Sequence, residues 1–201
     1  MSKVTAGCTM SLDGYIAGPD NSGFDLLFRW MSNGPVVTQT ADPEISMSTT
    51  AEDAERLQSM IRATGALVCG RGVYDFTNGW NGRHPMDVPV VILTHNPPAD
   101  RPLADENFVF VTEGIEAAVA KAKEIAGDKN VGLNGGTIAT QALEAGLVDE
   151  VNVDLVPFLL GGGTRFFDTL ANAPVELAQE SVVESVGVTH LTYSVVRKPA
   201  E

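Results

Sequence analysis

The chain is short of cysteine, of cations and of long apolar runs, and each shortage removes a class of protein. Cys8 and Cys69 are its two cysteines, and both lie in apolar, strand-like segments. They read as small buried hydrophobes, not as a disulfide or a nucleophile. Three scattered histidines offer no metal-ligand spacing, so no metal is expected. Lys and Arg number 13 against 26 Asp and Glu, a net charge of −13. Binding nucleic acid or an anionic membrane needs clustered cations, so neither partner is expected. No segment approaches the roughly 18–20 apolar residues of a membrane span. The N-terminus, MSKVTAGCTM, lacks the apolar stretch of a signal peptide, and a cytoplasmic protein is the expectation. Also missing are a G-x-S-x-G elbow and a G-x-x-x-x-G-K-[ST] loop. A phosphorylated small molecule stays compatible with the acidity, because its site needs only one or two local cations and some backbone N–H groups.

What is present is an alternation of period-two and period-3.6 apolar runs, the pattern of an α/β fold. Strands are expected at Val4–Met10, Ala66–Gly70, Val88–Thr94, Phe108–Thr112, Asn130–Asn134 and Glu150–Leu160. Helices are expected from a Thr49 or Thr50 cap to a stop at Gly65, over Gly114–Ala126 and over Ile138–Ala145. Val175–Glu184 and Val188–Arg197 read as a terminal hairpin, an antiparallel edge on a mainly parallel sheet. Gly18–Ser48 reads as a long irregular loop. With no repeat and no linker-like stretch, residues 1–201 read as a single domain.

Three glycine-bearing strand ends are the candidate ligand sites. In Asn134-Gly135-Gly136-Thr137 a strand meets a glycine pair and then a helix start, whose free N–H groups and dipole suit a pyrophosphate. Thr137 adds a hydroxyl and could cap the helix. A tight turn without ligand is the other reading. Gly70-Arg71-Gly72 follows another strand, and Arg71 could grip a phosphate or be a surface turn residue. It departs from G-x-G-x-x-G because Asp75 takes the third glycine position, which disfavours a Rossmann dehydrogenase. Thr94 and His95 close a third strand, where His95 could meet a 2′-phosphate or sit in solvent. Gly161-Gly162-Gly163-Thr164-Arg165 could hold a phosphate, but a structural role is favoured. Phe24, Phe28 and Trp30 could stack a flat ring or belong to the core. Asp13 is a candidate proton donor or a turn residue.

Taken in order, these motifs resemble the dihydrofolate-reductase superfamily, and more closely the reductase domain of bacterial bifunctional riboflavin-biosynthesis proteins. The resemblance is carried by Met10-Ser11-Leu12-Asp13-Gly14-Tyr15-Ile16-Ala17, Ala66–Asp75, Asn134–Thr137 through Gly146–Glu150, and Pro157–Gly163. It implies a three-layer fold with a mixed sheet of about eight strands. It implies NADPH across the strand ends. Gly135, Gly136, Thr137, Ile138 and Ala139 would meet the pyrophosphate. Gly70, Arg71, Gly72, Thr94 and His95 would face the 2′-phosphate, and Met10 and Ala17 would flank the nicotinamide. It implies a homodimer. The relatives' substrate-contacting Glu is here Asn134, and a Thr of their cofactor site is replaced near Val73. The reading is an NADPH-dependent reductase of a small heterocyclic substrate of pyrimidine or pterin type, with Phe24, Phe28, Trp30 and Asn134 on the substrate side. A nicotinamide-nucleotide-binding module without turnover, and a phosphosugar enzyme using the same turns, are the alternatives.

Overall fold

The structure, a computed structural model, describes residues 2–99 and 104–197. Met1, residues 100–103 and residues 198–201 of the single-domain reading lie outside the described residues.

The period-two runs form one eight-stranded sheet. Its strands are β1 (Val4–Ser11), β5 (Thr64–Gly70), β6 (Val90–Leu93), β7 (Phe108–Val111), β8 (Asn130–Leu133), β9 (Glu150–Val156), β11 (Leu177–Ser185) and β12 (Val188–Val195). They lie in the order β11-β12-β9-β1-β8-β5-β6-β7. All pairs from β9 to β7 are parallel, and β12 and β11 add the antiparallel edge. The expected mixed sheet with a terminal hairpin is therefore present.

Alternation along a strand sends successive side chains to opposite faces. On β5, Ala66 and Val68 join the largest apolar cluster, while Cys69 joins a second with Tyr74. The largest cluster is roofed by α4 (Ile115–Ala126) and α5 (Thr137–Glu144). The opposite face carries α1 (Phe24–Leu27), α2 (Ala51–Ala63) and α3 (Arg71–Phe76), with Leu27, Trp30 and Leu57 in a third cluster. Sheet and two helical layers make three. Burying Ile115, Ala118, Val119 and Ala122 removes α4's apolar stripe from water, the main term holding such a helix on its sheet.

Thr50 caps α2 as expected, its hydroxyl accepting from the Asp53 N–H at 3.2 Å. Gly65 is not the stop. The helix ends at Ala63, and Gly65 lies inside β5, where a Cβ would stand 2.8 Å from the Cα of Ala126. Its missing side chain lets α4 approach the sheet.

Two other expectations change. Gly18–Ser48 contains α1, two short 3-10 turns and a hairpin of β3 (Val36–Gln39) and β4 (Ser46–Thr49). Elements this short carry too little periodicity to read. The strand expected over Glu150–Leu160 ends at Val156, because Pro157 has no N–H for a ladder. Beyond it Leu159 is 71% exposed despite its apolar character.

One register detail positions everything that follows. β1 and β8 pair only from Val4↔Val131 to Ala6↔Leu133, whereas β1 continues beside β9 as far as Ser11↔Val156. Pairing of the two central strands thus stops where β8 ends, at the edge of the sheet where ligands bind in open α/β sheets.

Candidate functional site

The glycine pair leaves β8 at this point. The Gly135 N–H donates to Cys8 Sγ at 3.1 Å, and the Gly136 N–H donates to the Phe166 carbonyl at 2.8 Å. Both donors are thus used inside the protein. A Cβ on Gly135 would meet Ile16 Cδ1 at 2.8 Å, and one on Gly136 would meet Thr164 Cγ2 at 3.3 Å. The missing side chains admit the protein's own neighbouring segment. Gly136, at φ +74°, is the cap residue, so Thr137 is the first helical residue and not the cap. The N–H groups of Thr137, Ile138 and Ala139 have no carbonyl behind them by helix geometry. They are the donors this junction can offer an anion. The side chains of Ile138 and Ala139 are buried, so these two residues could serve a ligand only through their backbone.

The neighbouring segment is β2 (Tyr15–Ala17) paired with β10 (Thr164–Arg165). It closes a cleft of about 360 Å³ lined by Tyr15, Gly136, Thr137, Gly163, Thr164, Arg165 and Asp168. Arg165 lies with its guanidinium 4.9 Å from the centre of the Tyr15 ring. Stacking of this kind orients a guanidinium without using its N–H groups. A cation and a helix start therefore face one cleft, with Asp168 as the opposing charge. Of the 161–163 glycines, Gly163 is the one in tight contact: a Cβ there would stand 2.1 Å from the Ala17 carbonyl oxygen.

Gly70 sits beside α5, its Cβ position 3.7 Å from Ile138. The fold thus brings the first two glycine-bearing strand ends together. Arg71 is engaged within the protein, its Nε donating to Asp75 at 2.7 Å and an Nη donating to the Asn96 carbonyl at 2.6 Å. The Thr94 hydroxyl accepts from the Asn96 N–H at 3.2 Å, so Arg71 and Thr94 converge on one turn. His95 and Gly72 are exposed. Met10 is half-buried, and Ala17 is buried beside β10. Asn134 is half-buried, its N–H donating to the Val68 carbonyl at 3.1 Å.

Asp13 ties two loops. Its carboxylate accepts from Ser11 Oγ at 2.6 Å, the Leu160 N–H at 3.1 Å and the Gly161 N–H at 2.7 Å. The Ser11 hydroxyl, followed by these backbone donors, holds its pKa down at about 2. Such a carboxyl carries no proton to give near neutrality, which favours the turn reading over the proton donor. Trp30 is 2% exposed, with Nε1 donating to Thr9 Oγ1 at 3.3 Å, so it belongs to the core and cannot stack a substrate. Phe24 and Phe28 do form a stacked pair, centroids 5.9 Å apart, and Phe24 also meets Phe76 at 5.3 Å. Phe28 and Phe76 are 44% and 58% exposed. They form an aromatic lip joining α1 to the end of α3. Burial pushes the thiols of Cys8 and Cys69 up to about 11 and about 12, which leaves both unreactive. Among the described residues no cluster could hold a metal ion, and no helix is long and apolar enough to cross a membrane.

Sequence reasoning did not single out Tyr15, Asp168 or Phe76. It also missed the meeting of the buried Asp53 and His190 with the half-buried Asp154. These side chains meet only through long-range pairing, and no local signal marks them.

A parallel sheet with an antiparallel hairpin edge, three layers and a helix start at the end of the central β1–β8 pairing define the dihydrofolate-reductase-like class. Within it, the profile of the RibD C-terminal domain family matches residues 2–191, and the chain belongs to that family. A protein assigned to riboflavin biosynthesis from Shewanella sp. PV-4 superposes with a TM-score of 0.73 at 21% identity, covering 97% of this chain and 99% of the other. A Thermotoga maritima diaminohydroxyphosphoribosylaminopyrimidine deaminase/5-amino-6-(5-phosphoribosylamino)uracil reductase gives 0.64 at 15% identity. That match covers 97% of this chain and 57% of the longer protein. Enterococcus faecalis dihydrofolate reductase, complexed with NADP(H), gives 0.60 at 16% identity, covering 96% of each chain. No curated protein matches the chain.

Proposed function

We propose that the chain is an NADPH-dependent reductase of a small, flat heterocycle of pyrimidine or pterin type, working as a single domain. The observation that carries the reading is the cleft where Arg165, stacked on Tyr15, faces the first turn of α5 where the β1–β8 pairing ends. The fit to the cofactor is chemical. A pyrophosphate needs N–H donors and a cation, which Thr137, Ile138, Ala139 and Arg165 supply. A 2′-phosphate needs a second cation, and Arg71 with Thr94 and His95 stands at the adjoining strand ends. NADPH, when bound, supplies the hydride from its nicotinamide. The protein's part is to hold and orient, with Met10 and Ala17 near the end of the β1–β8 pairing and the Phe24–Phe28 pair on the substrate side. Family membership and the NADP(H) complex of the E. faecalis relative support this reading.

A second reading, a nicotinamide-nucleotide-binding module without turnover, is favoured by Asp13 being locked as a carboxylate and by the neutral Asn134. A homodimer is supported by β11, a nine-residue edge strand exposed along most of its length. A cytoplasmic setting is supported by two free thiols, Cys8 and Cys69.

Fluorescence titration with NADPH and NADH tests the reading. NADPH binding at sub-millimolar concentration is expected, and its absence would sink both the reductase and the module. NADPH consumption with a panel of pterins, pyrimidines and quinones then separates the two.

A further inference from the structure

A buried charged group lies outside the cleft, between the sheet and α2. His190 on β12 is 1% exposed, and the Asp53 side chain is fully buried. His190 Nδ1 stands 2.6 Å from Asp154 Oδ1, and Nε2 stands 3.0 Å from Asp53 Oδ1. A carboxylate oxygen can only accept. Both ring nitrogens donate only when the ring carries two protons, and a neutral imidazole would turn one lone pair onto a carboxylate oxygen. The charged groups facing the ring are Asp53 and Arg56 from α2 and Asp154 from β9, with Arg56 3.7 Å from Asp154. Two carboxylates, one guanidinium and one imidazolium sum to zero, which is the arrangement a buried site tolerates. On β1 the Thr9 hydroxyl accepts from Trp30 Nε1 and the Cys8 thiol feels the charge of Asp154, while Ser185, the last residue of β11, donates its hydroxyl to Asp53 Oδ2 at 2.9 Å.

The stretch that carries the aromatic lip is fastened to this group. Trp30 meets the His190 ring edge-on, with centroids 5.2 Å apart. Asn33 donates from Nδ2 to Asp53 Oδ2 and to the Val186 carbonyl, both at 2.8 Å, and its Oδ1 accepts from the Thr50 N–H at 3.0 Å. Phe24 and Phe28 lie directly before Trp30 in the chain.

We propose that His190 is a positioning residue: as an imidazolium clamped between Asp53 and Asp154, it holds Trp30 and Asn33 in place and so fixes the Phe24–Phe28 lip that precedes them in the chain. Loss of the proton sets a ring lone pair against a buried carboxylate. The ring then shifts, and the edge contact with Trp30 and the anchoring of the lip shift with it. Below that transition the lip is held, and above it the lip loosens. Every contact of the clamp exists without ligand, so its test stands apart from that of the reductase.

NMR on the full wild-type chain, taken from mildly acid to alkaline pH, reads the clamp directly. The His190 ring is expected to titrate above 6.5, because the carboxylates of Asp154 and Asp53 outweigh the burial that opposes its charge. The Trp30 indole N–H and the Phe24 and Phe28 amides should shift with the same midpoint. His190→Gln keeps a donor nitrogen but has no proton that titrates in this range, and it should remove that midpoint from all three signals. Trp80, whose neighbour His84 is pushed down to about 4 by burial, should respond as in the wild type. A His190 midpoint at or below 6.5 overturns the proposal, as do Trp30, Phe24 and Phe28 signals that ignore the His190 midpoint. If His190→Gln does not fold, the wild-type titration alone decides.

Discussion

Replacing Arg165 by Ala separates two views of where the cofactor's charge is met. Arg165 is exposed and its nearest described partner is the Tyr15 ring, so its N–H groups are available to a ligand. Arg71 must first give up Asp75 at 2.7 Å, an exposed i,i+4 pair of the kind worth about 0.3–0.5 kcal/mol. A hydrogen bond to a charged group is worth about 1.5–3 kcal/mol, and solvent screening at an exposed site takes the lower part of that range. Losing about 1.5 kcal/mol weakens binding roughly tenfold. The pyrophosphate is common to both cofactors, so Arg165→Ala should weaken NADPH and NADH alike, and less so at high salt. Arg71→Ala should instead weaken NADPH far more than NADH. Fluorescence titration of both variants at two salt concentrations, with circular dichroism to check folding, measures this. A folded Arg165→Ala that binds both cofactors like the wild type refutes the placing of the pyrophosphate. A loss confined to NADPH shows that Arg165 reads the 2′-phosphate instead.

Two further outcomes concern the scaffold. Gly163→Ala puts a methyl group 2.1 Å from the Ala17 carbonyl oxygen at a residue with φ +113°, so the β2–β10 pair should open. The strain alone costs about 1–3 kcal/mol, a fall in Tm of roughly 3–10 °C, together with weaker cofactor binding. Gly161→Ala shares the positive φ with nothing within 4 Å, and a fall as large in that variant would show that the contact with Ala17 is not the cause. Stability should also depend on pH through the clamp. The folded pKa of His190 is raised above 6.5, so its contribution is full below 6.5 and lost as pH rises through the folded value. Hydrogen bonds from Asn33, Ser185, His190 and Thr50 overcome burial and hold Asp53 below 3.8, so its contribution is full above 3.8 and lost as pH falls through the folded value. Urea midpoints should therefore be highest between these limits, and a wild-type alkaline decline matched by His190→Gln would remove His190 as its source.

All eight strands of the main sheet were legible, because each holds an apolar run between turn residues. The α4 stripe was legible for the same reason, and so were the Thr50 cap and the final hairpin. β2, β3, β4, β10 and α1 were not, because two to four residues complete no period. The end of β9 was misjudged because Phe158, Leu159 and Leu160 continue its apolar run past Pro157. At the site, Gly135–Thr137 was legible as a strand, a glycine turn and a helix start. What could not be read was that Cys8 and Phe166 take up the two glycine N–H groups, leaving the first turn of α5 to offer the donors.

The sequence by itself determined the layers, the sheet and the places where the chain must turn, since these follow from local periodicity and from backbone angles that glycine permits. Only the tertiary structure decided which charges meet. Tyr15 reaches Arg165 because β2 pairs with β10, and Asp53 reaches His190 because β12 lies beside β9 under α2. Those side chains are far apart in the chain, and their convergence depends on the register of long-range pairs, which no local pattern encodes.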